Sequence, residues 1–114
     1  MAQPEAKTKA AIKKAINELW PVNFQLMAVP AGFGTNGIPD HLACVPVKVT
    51  QEMVGKTYGM FIAVEAKTET GKTKGIQHVR IAEIIKADGF CQIVYGVDQT
   101  VSLKAKLEQR FCLK

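Results

Sequence analysis

No stretch of this sequence sustains the roughly 18 apolar residues that a helix needs to cross a bilayer. The opening segment "MAQPEAKTKAAIKK" has lysines among alanines where a signal peptide would carry an apolar block. A cytosolic chain is expected. Cysteine is scarce: Cys44, Cys91 and Cys112 are odd in number, far apart and without a C-x-x-C pair. Neither a disulfide framework nor a zinc site is indicated, and the three are expected as small core residues. Internal repeats and low-complexity linkers are missing as well. The "TGKT" at 70–73 and the "GKT" at 55–57 lack the glycine five residues before the Gly of the GK pair, so no G-x-x-x-x-G-K-T phosphate loop exists and both read as turns. Acids are the minority, 10 Asp plus Glu against 15 Lys plus Arg, for a net charge of +5. That balance favours an anionic partner such as nucleic acid, although solvated lysines account for it equally well.

What is present suits one domain over residues 1–114, with 47% hydrophobic and 22% charged residues. A domain of this length buries roughly two-thirds of the surface its unfolded chain exposes. From Pro4 to Trp20, Ile12, Ala15, Ile16, Leu19 and Trp20 recur on one helix face, and Pro21 stops the helix. "VNFQLMAV" alternates like a strand, and a Pro/Gly-rich loop leads from it to Asp40. Leu42–Val49 and "YGMFIAVEAKT" are two further strands, expected to pair as a hairpin around "TQEMVGK". Ile76, Val79, Ile81, Ile84 and Ile85 predict a buried helix ending at Asp88-Gly89, with the glycine in the left-handed position. "FCQIVYGV" is a fourth strand, and Asp98 is placed to cap a last helix running toward Arg110. The order α-β-β-β-α-β-α predicts an α/β fold with a mixed sheet, in which strand, crossover helix and strand form a parallel unit.

Within this frame the acids at strand ends carry the chemistry. In "VEAK", strand period puts Glu65 and Lys67 on one face and leaves Ile62, Val64 and Ala66 to pack under a helix from the other. A hairpin would bring Asp40, at the start of one strand, beside Glu65, at the end of the next. Two carboxylates with the backbone carbonyl of Ala66 between them offer the hard oxygen ligands that Mg²⁺ or Mn²⁺ selects. Alone, an E-x-K pair is better explained by a solvated stripe on an edge strand, and its weight comes from the combination with Pro-Asp, the hairpin separation and the following Gln77. His41 adjoins Asp40, but alternation aims it away from a ligand position. His78 serves equally as a phosphate contact or a solvated residue, while Lys72, Lys74 and Arg80 form a basic rim or a solvated turn.

"GIPDHL" followed by "FIAVEAKTETGKTKGIQ" resembles the PD-(D/E)xK nuclease core, and within it the virus-type replication-repair nuclease (VRR-NUC) domain in its small stand-alone, phage-like form. The likeness runs over about residues 5 to 96. It implies a restriction-endonuclease-like core in the cytoplasm of a bacterial or phage-infected cell. Asp40 and Glu65 would be the metal-binding acids, Lys67 would position the attacking water or offset charge on the scissile phosphate, and Gln77 would support the site. Glu5 would be the first-helix acid, with Glu18 as the alternative. The implied activity is Mg²⁺- or Mn²⁺-dependent DNA hydrolysis leaving a 5′-phosphate, on branched DNA in the manner of a Holliday junction resolvase. A homodimer is expected because paired incisions need a twofold axis, with the terminal "RFCLK" as a possible contact. Rival readings are a flap or single-strand nuclease, a non-catalytic DNA-binding module of the same fold, and a small protein-interaction domain.

Overall fold

The computed structural model describes residues 5–27, 37, 39 and 41–113, with the side chain of Glu5 excepted. Helix α1 (Glu5–Leu19) closes with the Trp20 amide donating to Ile16 O at 2.9 Å, and Pro21, which cannot donate, ends it. Strands β1 (Phe24–Met27) and β2 (His41–Cys44) pair antiparallel from Phe24↔Cys44 to Met27↔His41. Strand β3 (Ile62–Lys67), helix α2 (Gly75–Lys86) and strand β4 (Phe90–Tyr95) form the expected parallel unit, in register from Ile62↔Phe90 to Lys67↔Tyr95. Helix α3 (Thr100–Arg110) completes an α/β protein with the predicted element order.

The predicted β2–β3 hairpin does not form. Described strands pair only as β1–β2 and β3–β4, giving two two-stranded sheets rather than one mixed sheet. Pro46 has no amide to donate, so β2 stops at Cys44 instead of running to Val49. A Gln51–Met53 3₁₀ turn then interrupts the long connection to Ile62. The facing of β3 is also the reverse of the expectation. Helix α2 lies over Ala63 and Glu65, because Ile84 packs with Ala63 and Gln77 satisfies the Glu65 carboxylate. Ile62 and Val64 face away from it and are 47% and 45% exposed. Of the α2 residues expected to be buried, only Ile84 is; Ile76, Val79 and Ile85 are exposed. One face of α2 is covered, not the whole helix.

The α2 terminus differs instructively from its prediction. Asp88, not Gly89, takes the left-handed backbone at φ 62°, with its amide bonded to Ile85 O at 3.0 Å and that of Gly89 to Ile84 O at 2.9 Å. This is a Schellman ending. Gly89 is needed for space: a Cβ there would sit 2.6 Å from Cys44 Sγ and 2.9 Å from Ile84 Cγ2. Asp98 lies in a Val97–Gln99 3₁₀ turn and does not cap α3, whose first residue, Thr100, bonds back to Val97 O instead.

The central cluster joins the two sheets. Phe24, Cys44, Ile84 and Ala87 are buried together, with Phe61, Ala63 and Cys91 packed against them and Phe24 edge-on to Phe61 at 6.1 Å. Burial pushes the Cys44 thiol above its ordinary value, reinforced by the Asp88 charge and opposed by Arg110. Cys112 departs from the expectation of a core residue: it is exposed, just beyond α3, whereas Phe111 docks at home on Phe90 at 6.4 Å. The raised Cys44 and Cys91 pKa values predict that a thiol reagent at pH 8 labels Cys112 at once and the other two only slowly. Gly89→Ala is expected to cost about 1–3 kcal/mol in urea unfolding, since the added methyl overpacks the junction between Cys44 and Ile84.

Candidate metal and phosphate site

Three of the expected site residues converge where β3 ends and α2 begins. Successive side chains of a strand point to opposite faces, so Glu65 and Lys67 share the α2 side of β3, and Lys67 Nζ lies 3.3 Å from Glu65 Oε1. The chain leaves β3 through a turn closed by the Gly71 amide on Thr68 O at 3.0 Å, which returns it to start α2 over the same strand. Gln77, in the first turn of α2, donates from Nε2 to Glu65 Oε1 at 2.8 Å and accepts the Lys74 amide on Oε1 at 2.9 Å. Both ends of its amide are therefore committed, and its orientation follows: the carbonyl caps the helix, the NH₂ holds the acid.

Among the described contacts of Glu65, both donors share one oxygen, Oε1. The second oxygen, Oε2, is the atom suited to a hard cation. The Glu65 charge is felt along the same face of the sheet: the Cys91 thiol is pushed up mainly by burial and further by Glu65. Between α2 and the two strands runs a cleft of about 240 Å³ whose wall includes Ala63, Glu65, Gln77, Ile81 and Cys91.

Asp40 lies outside the described residues, so its approach to Glu65 has no structural account. Ala66 sits between Glu65 and Lys67 in β3, paired with Val94. Glu5 is the first residue of α1, and its side chain also lies outside the description; Glu18 is exposed near the other end of that helix. Among the described residues, no group of three or more His, Cys, Asp or Glu is placed to hold a metal. Lys72 and Lys74 are exposed in the turn before α2, and His78 Nε2 is hydrogen-bonded to the Thr73 hydroxyl. Arg80 is engaged by Glu83 on its own helix at 2.9 Å.

His41 enters a polar network. Its Nε2 meets Gln25 Oε1 at 2.6 Å, and Gln25 Nε2 donates to Asn17 Oδ1 of α1 at 2.9 Å. Because Gln25 presents its carbonyl, the ring donates from Nε2. Asn23 Nδ2 donates to the same Asn17 oxygen at 2.8 Å and to Trp20 O at 2.7 Å. Sequence reading missed this tie. Its signal was the polar half of the β1 alternation, Asn23 and Gln25, which passes for a solvent face unless the helix behind it supplies an amide. No family model matches the sequence, and no curated protein or solved structure matches it either.

Gln77→Leu removes the donor to Glu65 and the acceptor for the Lys74 amide together. Denaturant unfolding should show a loss of about 1–2 kcal/mol. Lys67→Met, which keeps the apolar stem and removes one ion-pair partner from the partly exposed Glu65, should cost about 0–1 kcal/mol in the same measurement.

Proposed function

We propose that the protein is a metal-dependent DNA endonuclease with a restriction-endonuclease-like core, hydrolysing phosphodiester bonds of branched DNA. The observation that supports this most is the meeting of Glu65, Lys67 and Gln77 at one strand–helix junction. These are residues that the ordered PD…E-x-K…Q resemblance selects. A Mg²⁺ or Mn²⁺ ion held by Glu65 Oε2, the Ala66 carbonyl and Asp40 would polarise the scissile phosphate and lower the pKa of a bound water.

The chain's own residues have separable tasks. Glu65 contributes one oxygen as a ligand while Gln77 fixes the other, so the carboxylate cannot rotate away. Lys67 is a cation and no ligand. Its ammonium, already beside Glu65, orients the attacking water by hydrogen bonding and offsets charge developing on the phosphate. Lys72 and Lys74 lead from the site along an exposed turn and can take phosphates of the flanking backbone, a contact that weakens with salt. The net charge of +5 supports the same partner.

The test is incubation of purified protein with labelled four-way junction, flap, nicked, single-stranded and duplex DNA, with Mg²⁺ or Mn²⁺. The junction should be cut, with chelator or with Asp40→Ala or Glu65→Ala abolishing cleavage. Lys67→Ala should slow turnover roughly 10²-fold or more while calorimetry still shows Mn²⁺ bound. DNA bound but left intact under every condition would make the protein a binding module instead. Absence of both binding and cleavage on every substrate would overturn the reading.

A further inference from the structure

Tyr95 stands beside Lys67 at the edge of the site. The two are partners in the parallel register of β3 and β4, and neighbouring strands lie about 4.8 Å apart. Registered side chains share a face, and alternation along β4 puts Tyr95 on the side of Cys91, which lines the cleft under α2. Glu65, Lys67 and Tyr95 are therefore on one side of the sheet. The Lys67 side chain is only 18% exposed although it ends its strand, and Tyr95 is half-buried on the adjacent strand.

The backbone around Tyr95 is tied down on both sides. Its amide donates to Gln99 Oε1 at 2.9 Å, and the amide of Gly96 donates to Lys67 O at 2.9 Å. Gly96 adopts φ 81° and ψ 165°, a backbone region essentially confined to glycine. A Cβ there would also lie 2.7 Å from Glu69 Cγ. The chain thus turns sharply after Tyr95, and the position of the residue next to Lys67 is fixed. Its hydroxyl is not similarly committed: among the described residues no partner takes it. A phenol in that state is a free neutral donor beside an ammonium.

We infer that the Tyr95 hydroxyl is a phosphate-binding group of the site, donating to a non-bridging oxygen of the scissile phosphate. This role rests on the nuclease reading and adds a residue that the E-x-K resemblance does not select. Lys67 and Tyr95 carry side chains of similar reach on adjacent strands, so a phosphate oxygen set before the ammonium lies within range of the phenol. The two donors have different effects. An ammonium attracts DNA from a distance and releases counter-ions when it binds, whereas a neutral hydroxyl does neither. A donor fixed where charge develops acts mainly on the transition state, so the phenol contributes to turnover rather than to DNA affinity.

Tyr95→Phe removes the hydroxyl and keeps the ring. With Mg²⁺ it should lower kcat on the four-way junction roughly 10- to 100-fold. KM, the salt dependence of binding and the Tm should stay at their wild-type values. Tyr58→Phe alters the only other tyrosine, 51% exposed ahead of β3, and should cut at the wild-type rate. Fluorine NMR of protein made with ring-fluorinated tyrosine reports the two residues separately, the two variants assigning the signals. With Ca²⁺ in place of Mg²⁺ to keep the DNA whole, the junction should shift the Tyr95 signal and leave that of Tyr58. A wild-type rate for Tyr95→Phe, or an unmoved Tyr95 signal on DNA that is bound, would overturn the inference and leave the nuclease reading standing. DNA neither bound nor cut by the wild-type protein would remove both. If Tyr95→Phe does not fold, the fluorine signals of the wild-type sequence decide.

Discussion

A carboxylate beneath a helix has to be satisfied, and the Gln77–Glu65 hydrogen bond does this. Glu65 is on the α2 side of β3 and only partly open to solvent, a position in which a charge gains from partners. Gln77 supplies the neutral donor and Lys67 the counter-charge, both on one oxygen. The arrangement requires α2 to begin over the end of β3, hence the tight Thr68–Gly71 turn and the glutamine cap on Lys74. It also sets the crossover that delivers β4 parallel to β3. At the far end of α2, the Schellman ending and Gly89 let the helix terminus settle against Cys44, which joins the second sheet to the first.

The same constraint explains the open surface. With the polar pair turned toward α2, the apolar side of β3 is turned out, and α3 reaches only across β4. The core is correspondingly small: Phe24, Cys44, Ile84, Ala87 and Val94 are the buried hydrophobic residues among those described.

Element order and type were legible because periodicity carries them. The 3.6-residue recurrence from Ile12 to Trp20, the Pro21 stop and the β3–α2–β4 run with Gly89 at its hinge all needed only local information. The shared face of Glu65 and Lys67 was legible for the same reason, since strand alternation is strict. Which side of β3 a helix would cover was not. Apolar residues usually face the helix, and here the small Ala63 under Ile84 and the Gln77–Glu65 bond take that side in place of Ile62 and Val64. The parallel β3–β4 pair was legible from its crossover helix, but the fate of β2 was not: Pro46 shortens it, and among the described strands it pairs with β1 instead of β3. The part of the site that depends on Asp40 rests on the sequence resemblance, while Glu65, Lys67 and Gln77 rest on geometry as well.

The central claim is that the β3–α2 junction holds a divalent cation through Glu65. Its most direct test is a Mn²⁺ titration followed by the amide resonances of isotopically labelled protein, because the paramagnetic ion broadens only nearby signals. Substoichiometric Mn²⁺ should first erase the amides of residues 65–67 together with those of 40 and 41, leaving residues 98–110 sharp. Broadening centred on another acid, such as Glu52 or Asp98, with 65–67 unaffected, would contradict the account.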